Sequence, residues 1–444
     1  MIKLIGIALC FVCLTSFAQQ NPSITNQKPI SFDGRGELNY DLPLKQNNVY
    51  RIKVYQEDID VEVNLYDTSR QKVCSTDLAD GNKGYDQLEY VAQQSGLYRL
   101  NIKSVSPKPV PTGLIKIEVT TLSEAQIRRR QQIAQELAVE NTKAVTTIDV
   151  QHFWEAYDRL KQCRTYVDSV EVIQAHYLDR ATNGLKEFQR VRYLAAEFYI
   201  ERIKKYRRFY ASVRENTMLF LNPAELSAVI AKTRSLYEKG TPAKIAITIG
   251  PMSSGGTLSN QYVLIGLEML AGDKNCDVSE ITNENLKSDI LVRSGQRDVL
   301  NFVKETIAHE YIHTQQKAIS KDACQCVLLE QVLKEGVASF MAESLVMERT
   351  QEITSRAAVY ATKNEKQLWQ AIKNELCSTS VKNWLFNAAT SKERPGDLGY
   401  RMGYKIAQAY YNQSVDKNAA IREMIELDNA LMFLDKSGYD RKFR

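Results

Sequence analysis

Several features are scarce in this 444-residue sequence, and each shortage excludes a class of protein. No basic tract carries interleaved aromatic residues and the net charge is only +5, so the sequence predicts no nucleic-acid partner. Beyond the first residues, no stretch approaches the ~18 apolar residues of a membrane-spanning helix, so we expect no stable membrane insertion of the mature chain. Eight cysteines are too few for a disulfide scaffold in a chain of this length. Histidine is rarer still, with four residues.

The N-terminus predicts a cleaved secretory signal peptide at residues 1–18. It reads MIKLIGIALCFVCLTSFAQQ, in which Lys3 precedes an apolar run at residues 4–17 that is too short to span a bilayer. Ser16 and Ala18 place small residues at the two positions that a signal peptidase reads. We therefore expect a secreted or periplasmic protein, and the sequence leaves its oligomeric state open.

The cysteines left after signal cleavage indicate scattered disulfides or thiols. They are Cys74, Cys163, Cys276, Cys324, Cys326 and Cys377. The Cys324–Cys326 pair is a candidate zinc-binding pair, but a spacing of one residue is unusual for zinc ligands. We expect disulfides to distant partners, or buried thiols, instead.

Residues 28–122 have the period-two alternation of half-buried strands, as in NNVYRIKVYQ and GLIKIEVTT. Turn sequences such as SPKPVPTG separate these segments, and short strands at this spacing predict an all-β antiparallel sandwich. The run VEVNLYDTSRQKVCSTD resembles the pre-peptidase C-terminal (PPC) accessory domains found beside many secreted bacterial peptidases. The chain is therefore predicted to be multidomain, with a PPC-like β-sandwich in front.

Residues 123–444 predict a second domain that is mostly α, of the α+β class. Residues 123–238 are rich in helix-forming sequence, and residues 239–320 contain two apolar runs, AKIAITIG and QYVLIGLEML, that predict strands of a small sheet before a helix with two histidines. Further helices are expected in residues 327–444. Between the two strands, MSSGGTLSN is predicted to be either a turn or an edge segment that pairs with an extended peptide, with its adjacent glycines allowing a second backbone to approach.

The stretch TIAHEYIHTQQ holds two of the four histidines, His309 and His313, with Glu310 directly after the first. On a helix, residues i and i+4 lie on one face with Cβ atoms about 5–6 Å apart, so two imidazoles there can bind one Zn²⁺. Glu310 projects roughly 100° round the helix from His309, where it can reach a water bound to the ion. This is the H-E-x-x-H pattern of zinc hydrolases, expected by chance in only about one such chain in several hundred.

A third zinc ligand is expected downstream, in LLEQVLKEGVASFMAESLV. The 22 positions from His313 to Glu335 allow one helix to end and a second to cross it, so Glu335 completes a His₂Glu set that leaves one position open. Ser339 and Glu343 follow on the same face and are candidates to orient the metal ligands without binding the ion themselves. Glu343 and Glu330 are the rival third ligands.

The segment KEGVASFMAE after H-E-x-x-H looks like the gluzincin metallopeptidases, whose second motif is commonly Glu-Gly-x-Ala. With VQHFWEAYDRL, GLKEFQRVRY, IGPMSSGGT and GYRMGYKIAQAYY, it resembles a family of predicted zinc-dependent proteases known mainly as a domain of unknown function, DUF2268. The resemblance runs through most of residues 150–440 and implies a zincin-like metallopeptidase domain. It implies one Zn²⁺ on His309, His313 and Glu335, with Glu310 as general base, and it implies no physiological substrate.

Gluzincins often use a Tyr or His from the C-terminal helices to stabilise the oxyanion. LGYRMGYKIAQAYY offers Tyr400 and Tyr404, one turn apart, and we expect Tyr400 to take this role, with core packing as the alternative for both. His152 and His176 lie far upstream and are weaker candidates.

The sequence thus predicts an exported zinc metallopeptidase that acts on a peptide or protein substrate. The absence of a Gly-x-Met-Glu-Asn motif argues against an aminopeptidase. Two alternatives stay open at this point. One is an envelope ligand-binding protein whose zinc is structural and closed by a fourth ligand such as Cys324 or Cys326. The other is a zinc hydrolase of a non-peptide amide, such as a cell-wall component.

Overall fold

The computed structural model describes residues 28–77, 83–106, 112–192, 194–259, 261–317, 326–348, 355–388, 390–391 and 393–443. The predicted signal peptide and Cys324 lie outside the described residues. The chain divides into two compact units, and the boundary between them falls after Ser123. No helix in the described part of the chain is both long and apolar enough to cross a membrane.

The first unit contains eight strands in two four-stranded sheets. The strands are β1 (Ile30–Phe32), β2 (Glu37–Leu44), β3 (Val49–Glu57), β4 (Val61–Tyr66), β5 (Lys72–Thr76), β6 (Lys83–Val91), β7 (Gly96–Ser104) and β8 (Gly113–Thr121). The sheet orders are β1-β8-β3-β6 and β2-β7-β4-β5, and every pairing is antiparallel. The predicted antiparallel sandwich is therefore confirmed.

The alternation in the sequence places one face of each sheet in a shared core. In β3, every second residue is buried, because successive side chains of a strand point to opposite faces. Ile52 and Val54 from one sheet and Leu65 and Leu100 from the other belong to the same apolar cluster and are fully buried. Burial of this apolar surface is the main stabilising contribution to the unit.

The second unit is mostly helical and contains one small sheet, as predicted. Its helices are α1 (Glu124–Glu140), α2 (Ile148–Arg159), α3 (Tyr166–His176), α4 (Asn183–Arg192), α5 (Ala196–Lys205), α6 (Arg207–Met218), α7 (Ala224–Leu236), α8 (Leu267–Leu270), α9 (Glu284–Leu291), α10 (Gln296–His313), α11 (Val327–Phe340), α12 (Arg356–Lys363), α13 (Glu365–Lys373), α14 (Leu398–Gln413), α15 (Lys417–Ile425) and α16 (Ala430–Ser437). Its strands are β9 (Val145–Thr146), β10 (Lys244–Thr248), β11 (Gly256–Leu258) and β12 (Tyr262–Gly266).

The small sheet has the order β11-β12-β10-β9. The strands β9, β10 and β12 are parallel, whereas β11 runs antiparallel to β12 and forms an edge of the described sheet. The prediction of a strand throughout QYVLIGLEML is wrong in its second half, because the chain enters α8 after Gly266. An apolar run alone does not distinguish a buried strand from a buried helix.

The helices α11 and α14 cross at two glycines. A Cβ atom on Gly336 would lie 2.0 Å from the backbone carbonyl carbon of Gly403, and one on Gly403 would lie 1.9 Å from the carbonyl oxygen of Val332. The absence of side chains at these two positions therefore allows the backbones to touch. This contact brings Glu335 of α11 and Tyr400 of α14 to the same region of the unit.

Cys326, directly before α11, forms a disulfide with Cys377. The expectation of a disulfide to a distant partner is thus met at Cys326, which is not available as a zinc ligand. Cys74, Cys163 and Cys276 are free thiols.

Candidate metal centre

His309 and His313 lie one turn apart near the C-terminal end of α10. The opposite face of this helix is buried in the core through residues such as Val303, Ile307 and Tyr311, which fixes the face that the histidines present. Their Nε2 atoms are 3.0 Å apart, and the two rings are nearly perpendicular. The i, i+4 spacing therefore brings two nitrogen donors to one point.

Glu335 reaches the same point from α11. Its Oε2 atom lies 3.3 Å from His309 Nε2 and 3.0 Å from His313 Nε2. Of the His, Cys, Asp and Glu side chains in the described residues, these three form the group whose donor atoms lie within 4.8 Å of one another. A tetrahedral zinc ion with bonds of about 2.0–2.1 Å separates neighbouring donors by about 3.3–3.4 Å. The donor set therefore fits such an ion after a small expansion.

Hydrogen bonds on the other ring nitrogens orient the two imidazoles. Gln316 donates through Nε2 to the carbonyl of Lys334 at 2.9 Å, so its Oε1 faces His313 Nδ1, at 2.7 Å. His313 Nδ1 must then donate, so its Nε2 is the nitrogen that faces Glu335 and that gives up its proton when it binds an ion. Ser339 Oγ lies 3.4 Å from His309 Nδ1, on the side of that ring facing away from the donor set. Partners of this kind fix the tautomer of metal-binding histidines.

The charges at the site favour an ionised carboxylate. Burial raises the pKa of Glu335, but the hydrogen bonds from His309 and His313 and the charges of these two residues together outweigh burial and hold this pKa well below its usual range. Burial is the largest single effect on His313 and lowers its pKa, but the hydrogen bond to Glu335, the charges of Glu335 and Glu310 and the contact with Gln316 together raise this pKa above its ordinary value. A buried carboxylate held in its charged form is the state that binds a cation.

Glu310 does not belong to the donor set and instead faces β11. A Cβ atom on Gly256 would lie 2.7 Å from Oε1 of Glu310, so only a glycine leaves room for this carboxylate. The sequence interpretation assigned the glycines at 255 and 256 to the approach of another backbone. In the structure, Gly255 also lies against Leu270 and Gly256 against Glu310.

Tyr400 lies beside the donor set, whereas Tyr404 does not. The Tyr400 ring stacks on His309 with centroids 6.1 Å apart. Burial raises the pKa of the Tyr400 hydroxyl, and the carboxylates of Glu335, Asp397 and Glu310 raise it further, so this hydroxyl stays a hydrogen-bond donor. Tyr404 packs against Phe340, and its hydroxyl lies 2.8 Å from Ser344 Oγ.

The two rival carboxylates are placed elsewhere. Glu343 forms an ion pair with Arg401, with Oε1 and Oε2 at 2.8 and 3.0 Å from the same guanidinium nitrogen. Glu330 is half-buried and is not part of the group that could hold a metal. Of the two residues predicted to orient the metal ligands, Ser339 therefore contacts a histidine of the donor set, and Glu343 binds Arg401.

A cavity of about 870 Å³ is lined by Ser339 and Tyr400, both of which contact His309. Ser339 and Tyr400 form the part of its wall that lies next to the histidines. Its other walls carry charged side chains of both signs, including Asp289, Arg297 and Arg356. The cavity is large enough to receive a side chain of a substrate bound at the site.

A buried polar network holds the chain between β10 and β11. Fully buried Glu268 accepts hydrogen bonds from the backbone N–H groups of Gly250 and Met252, at 2.5 and 3.2 Å. Three tyrosine hydroxyls donate to the carbonyls of residues 249 and 250: Tyr177, Tyr199 and Tyr210. Because buried polar groups that are fully bonded rigidify their surroundings, this network fixes the segment that leads into β11.

Burial raises the pKa of Glu268 to about 7, which makes the stability of the second unit depend on pH. Since the folded pKa lies above the unfolded value, the stabilising effect is complete at low pH and is lost as pH rises through about 7. We expect wild type to lose roughly 2–3 kcal/mol of unfolding free energy between pH 5 and 8 relative to Glu268→Gln. Urea unfolding monitored by tryptophan fluorescence measures this, because all three tryptophans lie in the second unit.

The same charge change at an exposed position is the control. Glu171 on α3 is exposed, and the pH profile of Glu171→Gln should run parallel to that of wild type. Parallel profiles for wild type and Glu268→Gln would contradict the assignment of the pH dependence to Glu268.

A protein-family model matches the segment that contains the donor set. Residues 286–430 match the family model of DUF2268, described as a predicted Zn-dependent protease. This DUF2268 segment contains all three donor residues, Glu310 and Tyr400. The resemblance predicted from the sequence is confirmed there.

Two solved structures share low similarity with parts of the chain. One is PliG of Aeromonas hydrophila, a periplasmic inhibitor of g-type lysozyme, with 17% identity over 23% of this chain and 89% of that chain and a TM-score of 0.19. The other is the pre-peptidase C-terminal domain of a collagenase from Bacillus anthracis, with 18% identity over 21% of this chain and 88% of that chain and a TM-score of 0.18. A comparison with curated proteins finds no match.

Sequence reasoning missed two residues of this site. Gln316 lies three positions after His313, so a polar residue one turn beyond the motif was the available signal. For Gly256, the two adjacent glycines in the sequence were a signal of close packing. Its contact with Glu310 could not be predicted, because it depends on the pairing of β11 with β12.

Proposed function

We propose that this chain is an exported zinc metallopeptidase that hydrolyses peptide bonds. The observation that carries the proposal is the convergence of His309, His313 and Glu335, with donor atoms 3.0–3.3 Å apart and Glu310 outside the set but next to it. Zinc bound there would supply a Lewis acid that polarises the scissile carbonyl and makes water acidic enough to lose a proton near neutral pH. The DUF2268 match supports the choice of zinc and of a protease.

Proton transfer, oxyanion stabilisation and substrate binding are assigned to residues of this chain. Glu310, facing β11, takes a proton from the attacking water and passes it to the leaving amine. The hydroxyl of Tyr400, which stays protonated, donates a hydrogen bond to the developing oxyanion. The edge strand β11 offers backbone groups to an extended peptide next to Glu310.

Export is part of the proposal. The N-terminal sequence predicts a signal peptide, and the Cys326–Cys377 disulfide supports an oxidising compartment such as the periplasm or the exterior. The same disulfide weakens the alternative of a structural zinc closed by Cys326.

Cleavage of a peptide library by the zinc-loaded protein, with products identified by mass spectrometry, tests the proposal. We expect hydrolysis of peptide bonds, loss of activity after chelation and recovery with one equivalent of zinc. Cleavage that survives chelation would contradict the proposal. A zinc-loaded protein that cleaves no peptide would also contradict the proposal. If that protein instead released amines from cell-wall fragments, the result would support the alternative of a non-peptide amide hydrolase.

A further inference from the structure

Phe386 combines two features that a fold normally avoids. Its side chain is 66% exposed, although a phenylalanine loses favourable burial in that position. Its backbone has φ of 56°, in the left-handed region that is disfavoured for bulky residues other than glycine. Such strained positions persist only where the surrounding structure enforces them, and they cluster at functional sites.

The surrounding structure does enforce this conformation. The backbone N–H of Asn387 donates to the Asp397 carboxylate at 2.8 Å, and the backbone N–H of Asp397 donates back to the Asn387 side chain at 2.7 Å. Gly399 N–H donates to the carbonyl of Trp384 at 2.8 Å. Phe386 is therefore presented to solvent by a loop whose described ends, residues 384–388 and 393–399, are held together by hydrogen bonds.

This loop lies beside the candidate metal centre. The Phe386 ring meets the Tyr400 ring edge-on, with centroids 6.2 Å apart, and the other ring neighbour of Tyr400 is His309. Residues of the same loop, including Ala388, Gly396 and Asp397, form part of the wall of the 870 Å³ cavity. The exposed Phe386 ring thus contacts Tyr400, and the Tyr400 ring in turn contacts the imidazole of His309.

We propose that Phe386 is a specificity-determining residue that binds an apolar, preferably aromatic, side chain of the peptide substrate close to the cleaved bond. The inference rests on the proposed function. An exposed phenylalanine ring is stabilised by packing against another apolar group, because this removes its surface from water. With a second aromatic ring it prefers edge-on or offset contacts. Val415 is also exposed but follows the C-terminal end of α14, roughly 20 Å of helix away from Tyr400, and serves as a control.

Fluorescence tests binding without catalysis. The three native tryptophans, Trp154, Trp369 and Trp384, are buried. Phe386→Trp therefore adds one exposed indole, and its emission is obtained by subtracting the spectrum of the protein that keeps Phe386. In the Glu310→Gln background, a peptide with Phe or Leu flanking its central bond should shift the emission of this indole to the blue. A matched peptide with Gly and Lys should not, and equal responses to both peptides would overturn the inference.

Kinetics test the effect on turnover. Phe386→Ala should raise KM about 10-fold for the apolar peptide and leave kcat unchanged, because the contact stabilises ground and transition states alike. KM for the Gly and Lys peptide should not change, and neither should any constant for Val415→Ala. Phe386→Gly, whose backbone accepts a φ of 56° freely, should repeat the KM effect if the alanine variant folds poorly.

Two further outcomes are decisive. An equal loss for all peptides, or a dimer in light scattering that Phe386→Ala dissociates, would overturn the inference by assigning the ring to folding or to self-association. Failure of the proposed function is separate, because it would show as a lack of hydrolysis by the wild-type protein while the indole still reports which peptides bind.

Discussion

Glu310→Gln is expected to lower kcat for peptide hydrolysis by about 10³-fold while the protein still binds one zinc ion. The expectation follows from the position of Glu310, which is outside the group of His309, His313 and Glu335 that could hold the metal. Loss of a general base typically costs 10²–10⁴-fold in rate. The amide has the same shape as the carboxylate, so the close fit against Gly256 is retained and only proton transfer is lost. Steady-state kinetics and metal analysis of the same preparation measure both effects.

Two variants control for this result. Glu310→Asp keeps the carboxylate but withdraws it by one carbon, so it should fall between wild type and the glutamine variant. Glu330→Gln makes the same chemical change at a half-buried position on α11 outside the donor set, and its activity should match wild type. Wild-type turnover by Glu310→Gln would remove Glu310 from the mechanism, and loss of zinc would show that it acts as a ligand.

The position of the histidines was predictable because the helical repeat is fixed. Residues i and i+4 of any helix share a face, so His309 and His313 had to converge once α10 formed. The approach of Glu335 is less certain from sequence, because 22 positions allow several crossing angles. The close crossing of α11 on α14 at Gly336 and Gly403 is visible only when both helices are placed.

The remaining features depend on contacts between distant segments. Six cysteines allow 15 sets of three pairings, so the Cys326–Cys377 disulfide could not be deduced from spacing. The left-handed conformation of Phe386 comes from reciprocal hydrogen bonds between Asn387 and Asp397, ten residues apart. Neither periodicity nor composition carries this information, since both describe only local sequence.

The β-sandwich was predictable to the level of fold class. Strands β2, β3 and β8 carry the period-two burial that the sequence shows. The order of strands in each sheet was not predictable, because β3 pairs with β6 and β8 rather than with its neighbours along the chain. Pairing is decided by packing of the two faces and by turn geometry, which the alternation alone does not specify.

Glu335→Gln is expected to weaken zinc binding by at least about 100-fold, beyond the 10–100-fold typical of losing a residue that only orients a metal ligand. The carboxylate is the one negatively charged donor of the set, and its hydrogen bonds from both histidines hold its pKa low, so it is ionised and aimed at the ion. A neutral amide keeps one oxygen donor but loses the charge. Competition with a chromophoric chelator measures the affinity directly.

The gain in unfolding free energy on zinc binding is an independent measurement of the loss of affinity. It also distinguishes Glu335 from the rival ligands Glu330 and Glu343. Zinc at 100 times its dissociation constant should stabilise wild type by about 2.7 kcal/mol, whereas a 100-fold weaker variant at the same concentration gains only about 0.4 kcal/mol. Glu330→Gln and Glu343→Gln should retain the wild-type gain, because Glu343 is paired with Arg401 and Glu330 lies outside the donor set. If instead Glu343→Gln loses the zinc-dependent gain and Glu335→Gln keeps it, the third ligand is Glu343 and the metal centre lies nearer to Arg401 than the three converging donor atoms indicate.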